Sequence, residues 1–192
     1  SNGFAARYDA TGKELWKTVV PGATNDEPNA AVVAPDQILV VAGTRTSSGG
    51  LSTQLYVRFD GAGKIVATKT HNHRDDSGVY DLQADLGTGG FVATGFASAG
   101  NSRLALFRPD ANLAVLSMAT WDNGHNNFGK GVAVGAQSTC YAVGFYTDSK
   151  TQLANGLVMT WNQTGDALGG WDAGGNANDY LCAIARCLPA AS

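Results

Sequence analysis

The sequence predicts an all-β fold assembled from one unit repeated along the chain, and three observations predict it. The first is composition: of 192 residues, 25 are glycine and only 15% are charged. A helical bundle is rich in Glu, Lys and Leu, whereas strands joined by small-residue turns have this balance. The second is alternation of apolar and polar residues over short runs, as in Leu55-x-Val57-x-Phe59, with no stretch holding a helical period for three turns. The third is recurrence at one period, which decides the architecture.

The chain opens on a hairpin. Phe4, Ala6 and Tyr8 alternate into Asp9, a Thr11-Gly12-Lys13 turn follows, and a second run holds Leu15 and Trp16. The same pattern returns in "YVRFDGAGK" (56–64), "LFRPDANLA" (106–114) and "VMTWNQTGD" (158–166). The residues opening these turns are Asp9, Asp60, Asp110 and Asn162, at spacings of 51, 50 and 52. Arg7, Arg58 and Arg108 stand two residues earlier, with Thr160 in the last copy. After each hairpin comes a polar pair ahead of an apolar run: Asn25-Asp26, Asp75-Asp76, Asn126-Asn127 and Asn178-Asp179. Aligned on the second member, Asp26, Asp76, Asn127 and Asp179 lie 50, 51 and 52 apart. A glycine late in the next apolar run also keeps step, as Gly43, Gly95 and Gly144. A glycine there marks a bulge or a close backbone approach.

Each unit thus carries four short strands, exemplified by "AAVVA", "ILVVAG", "QLYVRF" and "KIVATKT", joined by turns such as "DGAGK" and "GTGG". Four strands per unit at this period define a β-propeller blade. The chain reads as a single propeller domain, 1–192, with partial units at 1–20 and 175–192 and full units at 21–70, 71–122 and 123–174. Two strands, three sets of four and a closing "DYLCAIARC" make about fifteen. Either about four blades close on themselves, "DYLCAIARC" lying beside the first hairpin, or the chain is a piece of a larger ring.

The opening unit resembles the bacterial secreted β-propeller repeat family (SBBP-type repeats) through Asp9, Gly12, Trp16, Asp26, Gly43 and Thr44. The second unit matches through Asp60, Gly63, Asp76 and Gly95, with Ala67 in place of the Trp, and the later units match less closely. The resemblance implies a bacterial protein of the envelope or exterior, in a family of diverse roles. "DATGKELWKT" (9–18) is also similar to a blade of pyrroloquinoline-quinone enzymes. That motif occurs once, since Ala67, Ser117 and Gly169 replace Trp16, and no cofactor is implied.

A net charge of -3 without a basic stripe argues against nucleic acid, and no apolar run is long enough for a membrane span. With neither an initiator Met nor a signal peptide, the sequence reads as a processed or trimmed product. Cys140, Cys182 and Cys187 allow one disulfide at most, or buried free thiols. "NQT" (162–164) is a formal glycosylation sequon. His71, His73 and Asp76 in "HNHRDD" are the one metal-ligand cluster to weigh, but two His and a carboxylate underspecify a site, and a solvated loop is the reading preferred. The repeated Asn/Asp pairs offer oxygen ligands for calcium. They read instead as residues capping their own turns. Trp16, Trp121, Trp161 and Trp171 read as packing groups, with sugar platforms as the alternative, and the three arginines as partners of carboxylates.

Nucleophile elbow, zinc-protease, phosphate-loop and Cys-x-x-Cys signatures are all missing from the sequence. The expectation is therefore a non-enzymatic binding or scaffold module for protein or glycan partners, with possible completion by a second chain. The alternatives are a propeller lyase, hydrolase or quinoprotein fragment with a site at the central channel, and a lectin.

Overall fold

The computed structural model describes residues 2–22, 25–34, 36–73, 76–148 and 150–185, and it is all-β. β1 (Phe4–Tyr8) and β2 (Glu14–Val19) form a two-stranded ribbon. Three four-stranded sheets follow, each antiparallel and connected in chain order. The first holds β3 (Asn25–Val33), β4 (Leu39–Thr46), β5 (Ser52–Phe59) and β6 (Ile65–His71). The next holds β7 (Asp76–Asp85), β8 (Gly90–Ala99), β9 (Asn101–Pro109) and β10 (Val115–Trp121). The last holds β11 (Asn126–Val134), β12 (Cys140–Thr147), β13 (Ala154–Trp161) and β14 (Ala167–Ala173). One 3-10 turn, Ala136–Ser138, is the only helical element among the described residues, and no described helix is long and apolar enough to cross a membrane.

The sequence expectation of a fifteenth strand fails over its described part. Residues 178–185 belong to no sheet and pair with neither β1 nor any other strand. Among the described residues no strand forms a ladder with them. They lie instead against the last sheet, where Asp179 N donates to Ala154 O at 2.7 Å and Tyr180 stands edge-on to Phe145.

The three sheets share one irregularity. Pro28 lies opposite Gly43 and Ala30 opposite Ala42, which leaves Asn29 outside the ladder. Tyr80 and Lys130 are left out in the same way, opposite Gly95 and Gly144. A Cβ on Gly43, Gly95 or Gly144 would overlap the carbonyl oxygen of Glu27, Gly78 or Phe128 respectively. The glycines therefore permit a bulge that brings the first strand's backbone onto the second.

This register also shifts one alignment by a residue. Asn25, Asp76 and Asn126 occupy one place, opposite Thr46, Ser98 and Thr147. Asp26 and Asn127 share the next place with Ser77, not with Asp76. The corrected spacings of 51 and 50 match those of the turn-opening aspartates, Asp9, Asp60 and Asp110.

Apolar faces stack in chain order. Ala5 and Val20 of the ribbon region share a core with Val41, Leu55 and Phe59. The opposite face of that sheet, with Val40, Ala42 and Tyr56, packs on Val79, Leu82 and Phe107. Val92, Leu104 and Leu106 then pack on Val132, Leu157 and Trp161. β7 packs against β3, β4 and β5, and β11 against β7, β8 and β9. β7 and β11, the first strands of the second and third sheets, thus sit on the sheet before them.

Candidate functional site

The turn-opening residues fold their own hairpins. Asp60 Oδ1 accepts from Ala62 N and Lys64 N at 3.0 and 2.9 Å, and Asp110 Oδ1 accepts from Asn112 N and Ala114 N, both at 2.8 Å. Asp9 does the same with Thr11 and Lys13, and these bonds hold its carboxyl below the usual range. Asn162 Oδ1 accepts from Asp166 N at 2.8 Å. The arginines two residues earlier join successive sheets. Arg58 donates to Ala111 O (2.9 Å) and pairs with Asp36, while Arg108 donates to Asn162 O (2.9 Å) and pairs with buried Asp85 at 3.3 Å.

Asp76, Asn126 and Asn178 act beyond their own turns. At one register place they reach across to the preceding sheet: Ser52 N donates to Asp76 at 2.5 Å, Ser102 N to Asn126 at 3.1 Å, and Ala154 N to Asn178 at 2.8 Å. Each such N–H opens the third strand of a sheet, so one oxygen ties the next unit to the last. Asp26, at the following place, binds Arg45 through both oxygens at 2.7 Å. Asn127 donates to His125 O. Asp179, in residues 178–185, is the fourth member of the aligned set.

His71 and His73 lie in neither a ligand cluster nor open solvent. Their rings stack at 6.5 Å, His73 stacks on Phe107 at 5.9 Å, and His71 Nε2 lies 2.8 Å from Leu113 O. Burial, and then His71, lowers the pKa of His73. Asp76 is committed to Ser52, and Arg74 and Asp75 lie outside the described residues. Among the described residues no three His, Cys, Asp or Glu converge. Cys140 is a buried free thiol whose pKa burial pushes up to about 11, Cys182 is free and exposed, and Cys187 lies outside the described residues.

Two surfaces stand out as places for a ligand. The first follows from the bulges. The side chains freed from the ladder gather: Asn29 Nδ2 donates to Val79 O at 2.7 Å, and Lys130 Nζ lies 3.4 Å from the centre of the Tyr80 ring. Burial lowers the pKa of Lys130. A run of rings continues from half-buried Tyr80 through Phe96, Phe128 and Phe145 to exposed Tyr180, with centroids 4.8–5.9 Å apart. Sequence reading missed this run, although the dipeptides Gly95-Phe96 and Gly144-Phe145 were its signal. Further along β3 and β11, Val32 and Val132 help, with Ile184, to line a cavity of about 430 Å³.

The second is a pocket of about 240 Å³ lined by Trp121, Tyr146, Trp171, Asp172 and Asn123. Tyr146 OH donates to Asp172 at 2.5 Å, which pushes its pKa up to about 12 and fixes its ring. Trp16 and Trp161 are packing groups, as expected: Trp16 stacks on Phe59, and Trp161 is buried. Trp171 is not, at 61% exposure.

Fold and surfaces together define an all-β repeat protein whose repeated polar residues are structural and whose unlike side chains collect at bulges and sheet edges. No protein-family model matches the chain, and no curated protein matches it.

Proposed function

We propose that the chain is a β-propeller module that binds and does not catalyse, serving as a scaffold for protein or glycan partners outside a bacterial cell. One observation carries this reading. Of the ionisable residues that recur with the unit, Asp60 and Asp110 are committed to their turns and Arg58 and Arg108 to the next sheet. Among the surfaces left for a partner are aromatic ones, at Trp171 and along the rings from Tyr80 to Tyr180. The propeller reading draws on the seating of β7 and β11 on the sheets before them, and on a cavity whose wall takes residues from β3, β7, β11 and residues 178–185. That arrangement suits about four blades around an axis. The extracellular assignment draws on the hairpin pattern shared with secreted repeats, through Asp9, Gly12 and Trp16.

The Trp121–Trp171 pocket favours a glycan among the partner classes, because ring faces stack on sugars while Asp172 and Asn123 offer polar partners. An array of neutral oligosaccharides tests this. The expected result is binding that Trp171→Ala abolishes, with the bound sugar recovered at unchanged mass. A sugar cleaved on incubation would make the protein an enzyme. An array without a single bound glycan would remove the glycan reading.

A further inference from the structure

The slots between adjacent sheets have equivalent places but unequal space. Phe107 and Met159 lie opposite Ala93 and Ala142, each two residues before the bulge glycine, so the two correspond. By the same register Met118 corresponds to Gly170, Ala97 to Tyr146 and His71 to Trp121. Between the first and second sheets the slot is full. Ala97 and Phe107 are completely buried there, and Met118 packs against the same core. Between the second and third sheets the bulk is gone: Met159 stands for Phe107 and Gly170 for Met118. The pocket of about 240 Å³ occupies that space.

What surrounds it departs from the repeat. Trp121 of β10 and Tyr146 of β12 both pack on the core shared by these two sheets, with ring centroids 6.3 Å apart and planes inclined at 60°. His125 stacks on Tyr146 at 5.7 Å. Tyr146 OH donates to Asp172 Oδ2 at 2.5 Å, which holds the carboxylate beside the rings and leaves Oδ1 to a ligand. The same place in β6 and β10 carries Thr70 and Thr120, so this charge belongs to the last sheet alone. The Asp148 carboxylate acts on Tyr146 in the same sense as Asp172. Among the described residues no lysine or arginine lines the pocket, and Arg103 is paired with Asp122 at 2.9 Å.

We propose that this pocket takes one pyranose ring carrying an ammonium group, and that Asp172 selects it over the neutral parent sugar. The inference rests on the glycan reading above and names the class of sugar. A volume of about 240 Å³ lies below the roughly 300–1,000 Å³ of sites for drug-sized ligands, which suits a single ring. Aromatic faces accept the C–H face of a sugar and also a cation within about 6 Å. The carboxylate then discriminates. It attracts an ammonium, offers a hydroxyl one hydrogen bond, and repels a uronate. Asn123 Oδ1 accepts from His125 N at 3.2 Å, so its N–H groups are left for a ring hydroxyl.

Three β-1,4-linked tetrasaccharides that differ only at carbon 2 serve as probes: those of glucose, glucosamine and N-acetylglucosamine. Each is titrated by calorimetry into the 192-residue chain at pH 7, below the pKa of an α-amino-type amine. The glucosamine tetramer is expected to bind at least about tenfold more tightly than the other two. Asp172→Asn removes that preference and keeps the binding of the neutral sugars. Asp172→Thr, which installs the residue of Thr70 and Thr120, is the second variant should the first fold poorly. Glu14→Gln removes an exposed carboxylate on the ribbon and leaves the preference intact. Equal affinities for the three sugars, or a preference that survives both Asp172 variants, overturn the amine selection while the glycan reading stands. Displacement of the glucosamine tetramer by an equal concentration of methylammonium also overturns it, because the cation alone would then be the ligand. Binding of none of the three to a folded chain removes the glycan reading and the inference together.

Discussion

Gly95 shows how one missing side chain carries a unit. A Cβ there would overlap Gly78 O, backbone that cannot swing aside as a side chain tip can. Gly95→Val is expected to cost about 3 kcal/mol in urea unfolding, while Gly61→Ala, with open space around it, stays within about 0.5 kcal/mol. The two sheet-joining arginines differ just as sharply. Removing Arg108 by Arg108→Ala leaves Asp85 buried without its ion pair, a loss of about 3–5 kcal/mol, whereas Arg58→Ala exposes a half-solvated Asp36 and costs about 1 kcal/mol or less. His73 adds a pH dependence. Its folded pKa lies below the ordinary 6.5, so the unfolded chain binds the proton more readily. Stability is then fully present above that value and declines as pH falls below it towards the folded pKa. His73→Leu flattens the slope of melting temperature against pH in that window. At this scale the sequence was readable wherever a residue acts on its own backbone, as Asp60 and Asp110 do. It misled at Asn126 and Asp76, because their hydrogen-bond donors, Ser102 and Ser52, lie 24 residues away.

Successive elements show one joint built with different side chains. Trp16 of β2 lies on Gly63 in the next turn and stacks on Phe59, and Thr18 Oγ1 donates to Gly63 O at 2.7 Å. One unit later the Trp is Ala67, and the turn glycine is Leu113, fully buried although its φ is +67°. Ala67 packs against the core that holds Leu113, so bulk has moved from the strand to the turn. Ala67→Trp and Leu113→Gly should each destabilise, and the double variant should recover part of the loss, a coupling that a double-mutant cycle in urea measures. The oxygens tying units together bear on metal binding as well. Asp76, Asn126 and Asn178 each accept a backbone N–H, so chelator is expected to leave the melting temperature unchanged. A rise with Zn²⁺ that His73→Leu removes would restore the ligand reading of His71 and His73. Strand existence was readable from alternation. Residues 178–185 were not, since their apolar pattern matches β3 yet they join no sheet.

Across the whole molecule, protection is expected to follow how many neighbours a sheet has. The sheet β7–β10 shares one core with β3–β6 and another with β11–β14, while the ribbon β1–β2 has a single buried face. In stacked units stability is a sum of unit and interface terms. Hydrogen exchange should therefore be slowest in β8 and β9 and fastest in β1 and β2, and an equal rate in both would mean that the chain opens only as one cooperative body. The period made this serial order legible before any coordinates. Ligand surfaces were another matter. The Trp121–Trp171 pocket joins residues of different units, and a repeat alignment erases the differences that build it.

The bulge has an evolutionary consequence. Copying a unit copies its ladder, and the ladder constrains nearly every position by its partner across the strand. The residue that the ladder skips is released from that constraint, and in three copies it has become Asn29, Tyr80 and Lys130: an amide, a phenol and an amine. Duplication thus supplies identical frames, each with one seat open to drift. Those seats adjoin one another, so substitutions in separate copies compose a single surface, and a new specificity is reachable without disturbing a strand.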